Sequence, residues 1–222
     1  MLTIGHRGAM GYAPENTLLS IRKAIELGVD WVEIDIYLVD EQLVVIHDDT
    51  LERTTNGMGS IFDYSFDQLR EFDAGQGEKI PLLQEVIDLT IDQVGLNIEI
   101  RGEGVVPLLI EVLSTLSSIQ CERILISSFN MRELLQVKKL GEKFNMGVLT
   151  EGNLESSLQW GRRLCAYSIH CDVESISRAF VERVHRLGFK SYVYTVNDRK
   201  VINNIRLMGV DGVFSNYPDR VK

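Results

Sequence analysis

With 222 residues, 45% of them hydrophobic and 8% aromatic, the chain has enough apolar material for one sizeable core, expected as a single domain over residues 1–222. A formal net charge of −9 argues against nucleic-acid binding through phosphate neutralisation. It leaves room for a small phosphate ester, because a divalent cation reverses the field locally.

Met1-Leu2-Thr3-Ile4-Gly5 places no basic stretch before an apolar run, so no secretory signal is expected. No apolar stretch approaches a membrane span, on the order of 20 residues, so no membrane anchor is expected either. Cys121, Cys165 and Cys171 are odd in number and lack CxxC spacing. That argues against a disulfide framework and for a reducing, cytoplasmic setting.

Residues 2–5 read as a strand, and the stripe Leu18, Leu19, Ile21, Ala24, Ile25 and Leu27 makes 15–27 an amphipathic helix. Strands follow at 31–37, running on toward Val39, and at 43–47. Only Asp40 to Gln42 separate them, whereas a parallel crossover needs about a dozen residues, so the pair must be an antiparallel hairpin. With the turn centred on Glu41, Asp35 stands opposite His47. Helices at 83–93, 106–118, 130–140, 154–162, 175–187 and 198–208 then alternate with strands at 96–101, 123–128, 145–149, 166–171, 190–196 and 211–215. Gly28, Gly141, Gly188 and Gly209 mark helix ends. LGVDWVEID at 27–35 and MGVDGVFS at 208–215 read as copies of one helix-stop-strand unit.

Such alternation implies a parallel sheet covered on both faces. Setting aside the hairpin's return strand leaves eight parallel strands. The expected fold is therefore α/β, a TIM (β/α)8 barrel with a small insertion after strand two, about residues 40–82. A doubly wound open sheet is the alternative; no GxGxxG follows the first strand, which weighs against its dinucleotide-binding version.

Glu33 and Asp35 are two apart on a strand and share one face. On an exposed strand they would be an ordinary polar stripe. Their neighbours Trp31, Val32, Ile34 and Ile36 mark a strand buried on both faces, where two carboxylates need a neutralising partner. Glu99 ends the adjacent strand, and three convergent acids point to a divalent cation with oxygen ligands. His6 and Arg7 stand at the end of the first strand, on the rim where such barrels gather catalytic groups. Two histidines, His6 and His47, supply a general acid and a general base. Arg7 and Arg101 offer planar forks for phosphate oxygens.

Pro14-Glu15-Asn16-Thr17 is a good helix start in any protein, and Glu15 and Asn16 are also placed to support His6 or the metal. Phe129, after Ser127 and Ser128, and Tyr194, between Tyr192 and Asn197, are candidates to wall the cleft or to pack the core. His170 and Cys171 read as structural, and His185 as a surface residue at a helix C-terminus.

HRG with PENT (residues 6–8 and 14–17), EIDI, VVIHDDTLERTTNG, IPLLQEVIDL, the EIR of 99–101, SSFN, YTVN and DGVFSNYPD together resemble the glycerophosphodiester phosphodiesterases, essentially end to end. The resemblance implies His6 and His47 as the acid–base pair, Glu33, Asp35 and Glu99 as ligands of Mg²⁺ or Ca²⁺, and Arg7 on phosphate. It implies hydrolysis of glycerophosphodiesters to glycerol 3-phosphate and an alcohol, by water or through a cyclic phosphate, with the base unassigned between the histidines. Arg101 stands where the family has Lys, and Tyr194 where it often has Trp; these imply an altered phosphate pose and a more polar pocket wall. Two other readings stay open: a barrel that binds phosphate esters without turnover, and one acting on lysophospholipids.

Overall fold

The computed structural model describes residues 1–141 and 143–222, and the short apolar runs in it become strands joined by helices. In chain order these are β1 (Leu2–Gly5), α1 (Leu18–Glu26), β2 (Trp31–Val39), β3 (Gln42–Val45), α2 (Phe66–Leu69), α3 (Leu83–Thr90), β4 (Gly95–Ile100), α4 (Val106–Ser114) and α5 (Ser118–Cys121). They continue with β5 (Ile124–Ser128), α6 (Met131–Leu140), β6 (Asn145–Thr150), α7 (Leu154–Leu164), β7 (Ser168–Asp172), α8 (Arg178–Arg186), β8 (Lys190–Tyr194), α9 (Arg199–Met208) and β9 (Gly212–Ser215).

The sheet closes on itself. β1 pairs in parallel with β9, Leu2 beside Gly212 through Gly5 beside Ser215, and with β2, Ile4 beside Trp31. The parallel strands form the expected TIM barrel, and β3 adds to β2 antiparallel as the start of the insertion. The main core lies between strands and helices, where residues such as Ile34, Ile98, Leu109 and Val184 are buried. Ile4, Leu125, Tyr192 and Phe214 fill the barrel interior. The insertion has an apolar centre of its own around Val44, Leu51, Ile61 and Leu69, and Val44 bridges back to Leu82.

Three local expectations are corrected. The hairpin register differs by one residue: Val39 faces Gln42 and Ile36 faces Val45. Asp40 and Glu41 both take left-handed φ, 49° and 58°, making a two-residue turn whose twist matches the strands. Asp35 therefore bonds Ile46, whose N–H donates to its carbonyl at 3.1 Å, and His47 begins the following loop. The first helix starts at Leu18 because Asn16 is left-handed (φ 56°) and Thr17 caps the helix by accepting from the Ser20 N–H. The helix expected at 106–118 breaks after Ser114, and Ser117 and Gln120 form a capping box for the short α5.

All three cysteines are free. Among the described residues no helix is long and apolar enough to cross a membrane.

Candidate active site

At the C-terminal rim of the strands, β2 and β4 run side by side with Asp35 directly beside Glu99, and Glu33 points to the same face. The three carboxylates are only 1–8% exposed, and one ligand atom from each falls within 4.8 Å of the others. Each has one prop. The Arg7 N–H donates to Glu33 Oε2 (2.9 Å), Asn16 Nδ2 to Asp35 Oδ2 (2.9 Å), and the Arg101 guanidinium to Glu99 Oε1 (2.8 Å). Arg7 Nε also lies 3.2 Å from Asp35 Oδ2. Glu33 Oε1 is buried with no partner.

Two guanidiniums facing three buried carboxylates leave negative charge over. Burial, then the neighbouring Asp35 and Glu99 charges, drive the Glu33 carboxyl well above its ordinary value. Burial and Asp35 likewise push Glu99 up to about 7, against the Arg101 hydrogen bond. An orphaned buried carboxylate oxygen and acids that resist ionisation fit a hard divalent cation with oxygen ligands.

The turn after β1 brings Arg7 there. Arg7 is left-handed (φ 50°), and Gly8 follows at φ 81°, where a Cβ would sit 2.4 Å from Ser20 Oγ and 2.5 Å from its carbonyl carbon. Only glycine lets this turn lie on α1.

The histidines flank the acids in different surroundings. His6 Nδ1 is 2.8 Å from Asn216 Oδ1, and its Nε2 is 4.0 Å from Glu33 Oε2. Burial, then Arg7, lowers the His6 pKa to about 4. His47 Nδ1 instead sits 2.5 Å from the Asp48 carboxylate. Arg53 grips Asp48 through Nε (2.5 Å) and also Glu15 (2.7 Å), whose other oxygen accepts from Arg7 (2.7 Å). Burial alone would raise Glu15, but hydrogen bonds from Arg53 and Arg7 outweigh it and hold the carboxyl below its ordinary range.

A cavity of about 280 Å³ opens between these groups, lined by His6, Arg7, Glu33, His47, Glu99, Arg101, Phe129 and Tyr194. Glu15 and Asn16 stand behind, holding Arg7 and Asp35. Phe129 and Tyr194 meet edge to face at 6.1 Å, and the Tyr194 hydroxyl donates to the Thr150 carbonyl (2.8 Å).

These features have known counterparts. The Glycerophosphoryl diester phosphodiesterase family profile matches residues 6–220. The chain belongs to this family. A glycerophosphodiester phosphodiesterase of Caldanaerobacter subterraneus is 36% identical, over 98% of this chain and 95% of its own. One from Bacillus altitudinis is 33% identical, over 97% and 94%. The structure of an Oleispira antarctica phosphodiesterase, solved in complex with the product sn-glycerol-3-phosphate, superposes with a TM-score of 0.94 at 32% identity, covering 100% of this chain and 95% of that one. The protein is an enzyme of the phosphoric diester hydrolase class.

Other residues of this phosphodiesterase stand outside the cluster of acids and histidines. Ser128 donates to the Ile100 carbonyl (2.7 Å), and Ser127 accepts from Asn97 (3.1 Å). Tyr192 is buried in the barrel interior. Cys171 is buried in the main core, and His185 pairs with Asp211 (2.7 Å) on the outside. His170 is buried yet lines the cavity. Asp48, Arg53 and Asn216 lie inside the matched sequence motifs, but local sequence does not show their contacts: each meets a partner brought near only by folding. Asn197 adds to this set, since its Oδ1 accepts the Asn216 N–H (2.9 Å) and steadies the loop behind His6.

Proposed function

We propose that this enzyme hydrolyses glycerophosphodiesters to glycerol 3-phosphate and an alcohol, with Mg²⁺ or Ca²⁺ held by Glu33, Asp35 and Glu99 and with His6 and His47 moving the protons. One observation carries the reading: two imidazoles, one held at Asn216 and one at Asp48, face one cavity walled by buried carboxylates. The relatives' names, and the glycerol 3-phosphate held by the Oleispira protein, support the choice of substrate.

The cation, when bound, would polarise the phosphoryl oxygens and offset their charge. Asn216 Oδ1 accepts from His6 Nδ1, which leaves Nε2 free to take a proton, and burial keeps this ring neutral. His6 is thus the base that deprotonates the attacking hydroxyl, from water or from the substrate's own glycerol. His47, held at Nδ1 by the Asp48 carboxylate, is the acid. As the new P–O bond forms, the bond to the alcohol breaks and His47 protonates the departing oxygen; on the glycerol route the product of this step is a cyclic phosphate, which water then opens to glycerol 3-phosphate. Arg7 and Arg101 orient the non-bridging oxygens.

Product analysis over a panel of glycerophosphodiesters, with Mg²⁺, Ca²⁺ or chelator, tests this. Release of glycerol 3-phosphate should require the ion. Binding of these esters with no product under any ion, or full activity in chelator, would overturn the reading.

A further inference from the structure

Four buried polar atoms without a hydrogen-bond partner sit on residues lining the catalytic cavity: Arg7 Nε, Glu33 Oε1, Asn97 Oδ1 and His170 Nδ1. The first two belong to the ion and phosphate region. The mechanism above uses neither of the others. Asn97 precedes Glu99 by two residues on β4, so it faces the same interior about 7 Å deeper. His170 lies three strands round the barrel, on β7. Both are essentially inaccessible, at 1% and 0% exposure.

Each side chain is already fixed by its other end. Asn97 Nδ2 donates to Ser127 Oγ (3.1 Å), which leaves Oδ1 facing no donor. His170 Nε2 lies 2.8 Å from Ser168 Oγ, and its ring is flanked by Tyr192 and Phe214, each with centroid 5.2 Å away. Buried polar atoms are normally paired, so two orphans on one cavity floor indicate a ligand that supplies partners there. Its chemistry is constrained. Asn97 Oδ1 only accepts, so the ligand must donate. A neutral imidazole Nδ1 donates or accepts according to tautomer, which suits a group able to do both. An anionic group cannot donate to Asn97 and would meet the Glu33 and Glu99 carboxylates above. A hydroxyl satisfies every condition.

We propose that Asn97 and His170 form the floor of the subsite for the glycerol arm, bonding its free hydroxyls and so selecting polyol phosphates over alkyl or aryl ones. This deepens the function proposed above and rests on it for the placement of the phosphate.

The test is a binding comparison by calorimetry on the full chain with Mg²⁺ present, using sn-glycerol 3-phosphate and n-propyl phosphate, which has no free hydroxyls. The unaltered enzyme should bind the former at least about tenfold more tightly, roughly the worth of one hydrogen bond. Asn97→Leu and His170→Phe keep bulk but remove the polar atom; each should erase most of that preference while changing propyl phosphate affinity by less than about threefold. Should one of these substitutions fail to fold, the other carries the same comparison. An enzyme indifferent between the two phosphates, or variants that weaken both equally, would overturn the proposal. Because the readout needs no turnover, a binding preference without hydrolysis would count against the proposed function alone.

Discussion

His6 has to be unprotonated to act as a base, so activity should be lost as pH falls through its pKa. Burial and Arg7 hold that value near 4, below the free imidazole's 6.5, so the acid limb of kcat/KM should lie well below pH 6.5. Asn216→Asp would set an anion against Nδ1 and move the limb upward; a limb near 6.5 in the unaltered enzyme would contradict the assignment. His6→Ala should lower kcat by about 10²–10⁴ with the metal still bound, measured on glycerophosphocholine. Asn16 never touches the cavity, yet it both donates to Asp35 Oδ2 and accepts the Asp35 N–H (3.3 Å). Asn16→Ala is expected to weaken divalent-ion affinity by about 10–100-fold, read by titration calorimetry.

Between elements, Arg53 ties the insertion to the β1–α1 loop: it holds Asp48, which orients His47, and Glu15, which orients Arg7. Its side chain is 46% exposed, and ion pairs of that kind contribute only about 0–1 kcal/mol to stability. Arg53→Ala should therefore leave the melting temperature nearly unchanged while lowering kcat about tenfold, toward the smaller effects seen for outer supports of a metal site. Asp198 makes the opposite case. It caps α9 by accepting from the Lys200 and Val201 N–H groups. Asp198→Ala should cost about 1 kcal/mol in denaturant unfolding with kcat unchanged. If Arg53→Ala lost stability and kept full activity, the proposed link would be wrong.

For the molecule as a whole, the acid cluster sets how stability depends on pH. Glu33 and Glu99 have folded-state values above the ordinary 4.5, about 7 for Glu99, so the folded state binds protons more readily than the unfolded chain. The stability tied to those protons is present below about pH 4.5 and is lost as pH rises through the folded values. The buried His6 and His170, lowered to about 4 and about 3, pull the other way, so the metal-free enzyme should lose more stability between pH 5.5 and pH 8 than a Glu33→Gln/Glu99→Gln variant does. Mg²⁺ or Ca²⁺ takes the place of the protons, so its stabilising effect should be larger at pH 8. An equal shift at both pH values, by scanning calorimetry, would remove the cluster as the source.

The barrel was readable because its signals are local. Four- to seven-residue apolar runs, glycine stops and a connection too short for a crossover decide strand count and direction from neighbours in the chain. Two-residue parity put Glu33 and Asp35 on one face in the same way, and the pairing of β2 with β4 then set Glu99 beside Asp35. The one-residue register slip shows the limit: alternation gives the hairpin, but the left-handed pair Asp40 and Glu41 decides which residues face each other. Partnerships across the closed sheet had no local trace. His6 and Asn216 are 210 residues apart and meet because β9 returns beside β1, and the unpaired atoms of Asn97 and His170 exist only where barrel closure brings two distant strands over one floor. Sequence periodicity carries which way a side chain faces. Only the closed tertiary structure decides what it faces, because contacts between distant residues depend on the summed geometry of every strand and turn between them.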